Sequence, residues 1–245
     1  MTHRLVIALA LAVAAAGAAL AQSPPPGQSP SEQSPADALA EAAAPPVYKP
    51  PMRGAPGGRV GGASRSAVRL STPLPIIELL APSDHAGLTA TPTPTLLFFV
   101  SRPVAWPTQF TISAPMQPAP VLETTIPSPG AAGIYALRPG DYRVQLRPGI
   151  AYTWSVSIVL DPRAWSRNIV ASGTIVFDPT INASAALAAP PLRRAALLAD
   201  AGLWYDAVAA AAAAQHLDRH AALDALIHQA DLSEAAGYAQ DMPRH

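Results

Sequence analysis

The C-terminal histidines have the spacing most suggestive of metal chemistry. The series His216, His220, Asp224 and His228 advances by four residues at each step. On one continuous helix, imidazole and carboxylate donors at this spacing would share a face and could bind Zn²⁺ or Ni²⁺. Asp218 interrupts the series and is typical of a helix N-cap, so we expect a turn that breaks the stripe. The sequence therefore predicts a solvated polar face and no metal site.

Residues for nucleophilic or acid–base catalysis are scarce. The chain has no Cys and therefore no thiol nucleophile. His85 directly follows Asp84, and because sequence neighbours rarely form a catalytic triad, we expect a turn with a capping Asp. Glu123 lies inside a predicted strand, where we expect an outward-facing charge rather than half of a catalytic carboxylate pair. We predict no catalytic residue and no cofactor, and an enzyme is the weakest hypothesis.

A basic, glycine-rich stretch could hold an anion. No Asp or Glu occurs from Ala42 to Ile77, and the cations of this window include Arg53, Arg59 and Arg65. The stretch lacks the Gly-Lys-Ser/Thr of a P-loop, and no strand–helix pattern flanks it as a dinucleotide fingerprint requires. Two interpretations stay open: a flexible basic linker, or a site in which backbone amides and arginines bind an anion.

The loop before the last predicted strand carries residues that are favoured at protein interfaces. Arg163, Trp165 and Arg167 occupy every second position in the middle of residues 161–168. Loops at the ends of β-sandwiches often carry recognition, and Arg and Trp are common interface anchors. The alternative is a long exposed hairpin loop with no partner. Trp204 and Tyr205, at a predicted turn between helices, are the next candidates for a binding contact.

The central segment, residues 74–180, has the pattern of an all-β domain. Short apolar runs alternate with prolines, which are excluded from central strands and so punctuate the sequence. Residues 152–160 alternate apolar with polar, which predicts a strand covered on one face, whereas Leu96 to Val100 predicts a central strand. About seven strands are predicted, at residues 76–81, 95–101, 108–114, 121–126, 134–137, 151–161 and 169–177.

A short motif indicates the fold class of this segment. Pro148-Gly149 precedes Tyr152 at the start of the sixth predicted strand. The spacing resembles the tyrosine corner of immunoglobulin-like and fibronectin type III sandwiches, in which the hydroxyl reaches back to backbone at the preceding turn. We therefore predict an immunoglobulin-like β-sandwich in which Gly149 and Tyr152 have structural roles.

The C-terminal segment, residues 183–240, has helical spacing. Helices are predicted to open at Pro190-Pro191, near Trp204 and after Asp218. Gly202 and the residues that follow it resemble the inter-helix turn of a tetratricopeptide repeat, in which a Gly ends the first helix. An array needs about three such units for stability, so we expect instead a small helical hairpin or bundle that could dock on the sandwich.

The N-terminal residues predict export. Residues 1–21 combine Arg4, an apolar run and Ala19-Leu20-Ala21, which is typical of a secretory signal peptide and its cleavage site. Residues 22–46 predict a disordered tether rich in Pro, Ser, Gln and Ala, and residues 47–73 a basic linker. We expect a periplasmic or extracellular protein without a transmembrane span in its mature chain. The net charge of zero argues against a nucleic-acid binder.

Five motifs follow one another along residues 47–240. They are Tyr48-Lys49-Pro50-Pro51 with its Gly-rich extension, Pro94-Thr95-Leu96, Leu122-Glu123-Thr124-Thr125, Leu146-Arg147-Pro148-Gly149 with Tyr152 and Trp154, and residues 201–207. Taken in order, these motifs resemble a bacterial exported family known only as domain of unknown function 928. The resemblance implies export and a two-part body, with no established reaction or catalytic residue.

Two functional hypotheses follow from these patterns. The first is a non-enzymatic module that binds an envelope or secreted protein through the loop of Arg163, Trp165 and Arg167. The second is a carbohydrate- or anion-binding module, with an anionic polysaccharide as one ligand, that acts through the basic Gly-rich segment.

Overall fold

The computed structural model describes residues 45–51, 73–214 and 216–236. The predicted signal peptide and the basic residues Arg53, Arg59 and Arg65 lie outside these ranges. Among the described residues, no helix is both long and apolar enough to cross a membrane.

Eight β-strands form two sheets in the described part of the chain. The smaller sheet has the order β1-β3-β6, and the larger sheet has the order β2-β8-β7-β4-β5. Neighbouring strands are antiparallel except β2, which runs parallel to β8. The strands are β1 (Ile77–Leu79), β2 (Gly87–Thr89), β3 (Leu96–Val100), β4 (Thr108–Ser113), β5 (Leu122–Ile126), β6 (Gly133–Leu137), β7 (Ala151–Ile158) and β8 (Ile169–Phe177).

The strand patterns predicted from the sequence are present. Every residue of β3 is buried, and β3 lies at the centre of its sheet, as its uninterrupted apolar run predicts. Strand β7 alternates, with Tyr152, Trp154, Val156 and Ile158 buried. The expectation of about seven strands omitted β2, because three residues that include a Gly carry no readable alternation.

The turn before β7 holds the contact predicted for Tyr152. The backbone N–H of Arg147 donates to the Tyr152 hydroxyl over 3.2 Å. Gly149 has φ = 72°, a left-handed conformation that favours glycine, and its N–H bonds the Phe177 carbonyl at 2.9 Å. This turn therefore ties the start of β7 to the end of β8.

Besides helical residues at 233–236, four helices follow the last strand in the described part of the chain. They are α1 (Ser184–Leu187), α2 (Pro191–Asp200), α3 (Trp204–Ala213) and α4 (His216–Gln229). Pro191 and Trp204 open α2 and α3, as predicted. The expectation that Asp218 caps a helix is wrong, because α4 already begins at His216. An acidic residue is also favoured inside the first helical turn, where it faces the positive end of the helix dipole.

A short N-terminal segment, residues 45–51, lies against the helices, and we call it the strap. The backbone N–H groups of Tyr48 and Lys49 bond the Gln229 side chain at 2.7 Å and the Ala199 carbonyl at 3.1 Å. Lys49 also forms an exposed ion pair with Asp200. The strap therefore connects α2 to α4.

Gly202, between α2 and α3, allows the strap to approach. It has φ = 76°, and a Cβ atom placed on it would lie 3.0 Å from the Lys49 carbonyl oxygen. The Leu203 N–H bonds the Leu198 carbonyl at 2.9 Å, so α2 ends in a Schellman-type arrangement around this glycine.

We predict that Gly202→Ala destabilises the chain more than Gly149→Ala. Both variants place a side chain at a left-handed position, which costs about 1–2 kcal/mol. Gly149 has open space around it, whereas a Cβ on Gly202 would crowd the strap. Urea denaturation of both variants gives the comparison. Equal losses in the free energy of unfolding would show that the strap does not press on Gly202.

Candidate functional site

The loop of residues 161–168, here called the Trp165 loop, is held at both ends. The Asn168 side-chain oxygen accepts hydrogen bonds from the backbone N–H groups of Leu160 and Asp161, at 3.0 and 3.3 Å. The Asp161 carboxylate accepts the Arg163 N–H at 2.9 Å and contacts the Arg167 guanidinium at 3.4 Å. The loop is therefore preorganised by its own polar side chains.

The middle of this loop presents an aromatic side chain to solvent. Residues Trp165–Arg167 form a single 3₁₀ turn, and Trp165 is 64% exposed. Arg163 and Arg167 are also exposed. The ion pair of Arg167 with Asp161 lies at the surface, where such pairs contribute little stability. The loop thus exposes one large apolar side chain and two arginines, of which Arg167 contacts Asp161.

Trp204 and Tyr205, the second pair of candidate contacts, lie in the interior. Their exposed fractions are 0% and 1%, so neither side chain presents a surface to a partner. This corrects the expectation that they bind another molecule. In the sequence, an aromatic pair at the start of a helix is equally compatible with a surface binding contact and with a core contact. The packing of α3 against the sheets distinguishes the two.

The polar atoms of the buried aromatics connect α3 to the sheets. Trp204 Nε1 donates to the Leu80 carbonyl at 2.9 Å. Trp154 Nε1, from β7, donates to the Tyr205 hydroxyl at 2.9 Å, and that hydroxyl donates to the Thr174 carbonyl at 3.0 Å. These three residues and the two carbonyl groups form what we call the aromatic lock.

A glycine on β2 makes room for the aromatic lock. A Cβ atom on Gly87 would lie 2.6 Å from a ring carbon of Tyr205. Any side chain there would therefore displace the ring or the strand, and α3 could not approach β2 as closely.

Asp206, one residue beyond the lock, holds the end of β2. Its carboxylate accepts the Ala90 N–H at 2.7 Å and the Thr89 hydroxyl at 3.1 Å. Burial raises the pKa of this carboxyl, and the two hydrogen bonds oppose that rise. Asp206 is not among the candidate residues predicted from the sequence, although an acid in the first turn of a helix is a recognisable pattern.

Asp84, His85 and Tyr48 form a hydrogen-bonded chain that the sequence did not predict. The Asp84 carboxylate lies 2.7 Å from His85 Nδ1, and Tyr48 Oη lies 2.8 Å from His85 Nε2. A carboxylate can only accept, so Nδ1 carries a proton, and the Tyr48 hydroxyl lies at the opposite ring nitrogen, Nε2. The hydrogen bond from His85 lowers the pKa of Asp84.

This chain of hydrogen bonds positions the strap. Burial, with a smaller effect of the Asp84 charge, raises the pKa of Tyr48, so its phenol stays protonated at neutral pH. The Tyr48 ring also meets Trp204 edge-on, with ring centroids 4.9 Å apart. A protonated phenol held between an imidazole and an indole anchors the strap and is not prepared as a nucleophile.

The predicted polar stripe on α4 is continuous in the backbone. Because α4 runs from His216 to Gln229 without the expected turn, positions 216, 220, 224 and 228 share one helix face. The side chains of His216 and His220 lie outside the described part of the chain. His228 Nε2 lies 3.7 Å from the Asp224 carboxylate. The side chains that are described include no cluster of three or more metal-ligating residues.

Glu123, the strand carboxylate considered for catalysis, is exposed on β5, where it lies opposite Thr111 of β4. Strand β5 is an edge strand, and an exposed charge there discourages pairing with another sheet.

A comparison with protein families matches residues 60–238 to the Domain of Unknown Function DUF928. The match spans most of the chain, which therefore belongs to this family. Neither the curated proteins nor the solved structures gave a match.

We predict that Asp206→Asn removes a pH-dependent loss of stability. A buried carboxyl with a raised pKa contributes stability below its ordinary value of 3.8 and loses it as the pH rises through the folded-state pKa. The wild type should therefore lose stability relative to the Asn variant as the pH rises above 3.8. Urea denaturation at several pH values measures the difference.

Asp84→Asn is the matched control for this experiment. The pKa of Asp84 is lowered, so its contribution is present above 3.8 and is lost as the pH falls. Its pH dependence should be small, because this carboxylate is exposed, and opposite in sign. If the Asp206 variant and the wild type had parallel pH profiles, the burial assigned to this carboxyl would be wrong.

We predict that Tyr48→Phe loosens the strap and leaves the aromatic lock intact. The variant loses the hydrogen bond to His85 and keeps the ring contact with Trp204. Hydrogen exchange of the Lys49 amide, which bonds the Ala199 carbonyl, should accelerate by roughly fivefold. This corresponds to a loss of about 1 kcal/mol in the local opening free energy. The Ala207 amide inside α3 serves as the internal control, and equal acceleration at both amides would contradict a local role.

Proposed function

We propose that this protein is an exported, non-enzymatic interaction module that binds another protein of the bacterial envelope through the Trp165 loop. The exposed indole of Trp165 carries the proposal, because an exposed aromatic on a preorganised loop resembles an interface anchor. Ordering such a loop on binding costs little, since its hydrogen bonds already hold it.

The chemistry of the loop defines its partner. Trp165 requires an apolar pocket, and the flanking cations Arg163 and Arg167 favour a partner whose pocket is rimmed by carboxylates. Arg also forms bidentate contacts with carboxylate groups, which would orient the partner. Electrostatic attraction of this kind accelerates association and weakens as salt is added.

The architecture supports an immunoglobulin-like sandwich as the scaffold for this loop. A three-stranded and a five-stranded sheet share one apolar core, and the Tyr152 hydroxyl reaches back to the Arg147 backbone as in a tyrosine corner. The left-handed Gly202 and the packing of α2 on α3 support a single helical hairpin like that of a tetratricopeptide unit.

The proposal is tested by capture of the partner with the mature chain. The immobilised protein is crosslinked to solubilised envelope proteins, and captured chains are identified by mass spectrometry. We expect one stoichiometric protein with an acidic surface, whose retention falls as salt increases. The contrary result is that the protein captures no other protein and is retained by cell-wall material through residues 53–65. This result would overturn the proposal in favour of a polysaccharide-binding module.

We predict that Trp165→Ala weakens capture of this partner by about 30-fold or more, because interface anchors contribute 2 kcal/mol or more. Leu187→Ala is the matched control, since Leu187 is similarly exposed (66%) but lies on α1. Both variants should unfold within about 0.5 kcal/mol of the wild type, as surface substitutions usually do. Unchanged capture by the Trp165 variant would exclude the loop as the binding surface.

A further inference from the structure

A cavity of about 380 Å³ opens near the start of β7, away from the Trp165 loop. Its walls come from the β4–β5 connection, the β6–β7 connection and the first residues of β7. Small-molecule sites typically have volumes of roughly 300–1,000 Å³, so the cavity is large enough for a ligand of about one sugar ring.

Two arginines form part of the wall of this cavity. Arg143 and Arg147 are both exposed, and neither side chain has a hydrogen-bond or ion-pair partner among the described residues. No Asp or Glu lines the cavity. The cavity therefore has an unneutralised positive charge of a kind that binds carboxylates through paired N–H donors.

The backbone holds both arginines in place although their side chains are free. Arg143 has φ = 61°, an unusual left-handed conformation for a residue with a side chain, and its N–H bonds the Gly140 carbonyl at 3.0 Å. The Arg147 N–H bonds the Tyr152 hydroxyl at 3.2 Å. Left-handed residues other than glycine are concentrated at functional sites, where the surrounding structure compensates for their strain.

The remaining lining residues define the rest of the ligand. Gln117 and Gln145 supply amide groups that can both donate to and accept from hydroxyls. Val121, Val144 and Ile150, each at least partly exposed, supply an apolar surface against which a ring can pack. Because no carboxylate is present to bind an ammonium group, a zwitterionic amino acid fits this lining less well than a sugar acid.

The geometry points to a binding site for a hexuronic acid, the acidic unit of anionic polysaccharides. The carboxylate binds Arg143 and Arg147, the ring packs against Val121, Val144 and Ile150, and the glutamine amides bind ring hydroxyls. This site is independent of the proposed protein-binding function, because it shares no residue with the Trp165 loop.

Titration of the folded chain with D-glucuronate, followed by NMR, tests the site. D-Glucose is the neutral control with the same ring, and acetate is the control for a carboxylate without a ring. For one monosaccharide we expect a Kd on the order of 1 mM, from typical binding energies per ligand atom. Glucose and acetate should each bind at least tenfold more weakly.

Two variants assign the binding to the cavity. Arg143→Asn keeps a residue that tolerates the left-handed conformation, and Arg147→Gln leaves the backbone bond to Tyr152 in place. Each should weaken glucuronate binding by about tenfold, the loss expected when a charged hydrogen-bond donor is removed. Arg163→Gln, which removes an exposed arginine of the Trp165 loop, should bind like the wild type.

Three results would overturn the proposal. The first is that D-glucuronate, at 20-fold the expected Kd, causes no saturable change in the chemical shifts of the Arg147 and Ile150 amides. The second is equal binding of acetate, which would define a general anion site only. The third is unchanged affinity in both arginine variants that keep the wild-type thermal unfolding transition.

Discussion

The aromatic lock is the constraint on which the rest of the structure depends. Indole N–H and phenol O–H groups that are removed from water must find partners, because an unpaired buried polar group costs a few kcal/mol. Among the described residues, the Trp154 N–H of β7 donates only to Tyr205, whose hydroxyl in turn donates to the Thr174 carbonyl. Neither the sheets nor the helices can satisfy these groups alone, so the two parts form one folded body.

This constraint also explains how alanine-rich helices are held in place. Alanine faces allow close approach but bury little apolar area, so α3 depends on its two aromatic side chains and on Asp206 for its attachment to the sheets. Two further contacts attach the helical segment to the rest of the chain. The strap packs against Gly202, and Glu78 of β1 accepts the Ala235 N–H at 2.8 Å.

The sequence predicted the parts of the fold that local patterns determine. The alternation along β7, the apolar run of β3 and the glycine turn at Gly202 each follow from rules that span a few residues. The aromatic lock and the strap contacts join residues far apart in sequence. Trp204 bonds Leu80 across 124 positions, and Tyr48 bonds His85 across 37. The family match covers residues 60–238 and leaves the reaction or ligand open, so the site assignments rest on geometry.

Strand β7 separates the two proposed sites. The arginine-lined cavity lies at its start, near Tyr152, and the Trp165 loop follows its end at Ile158. Eight residues of strand span about 26 Å, which is beyond the distance over which substitutions usually interact. Because β7 is hydrogen-bonded on both edges by β4 and β8, it does not shift easily. Occupation of the cavity should therefore leave the affinity of the Trp165 loop unchanged, and a chain that bound both ligands would hold an acidic polysaccharide and an envelope protein at a fixed separation.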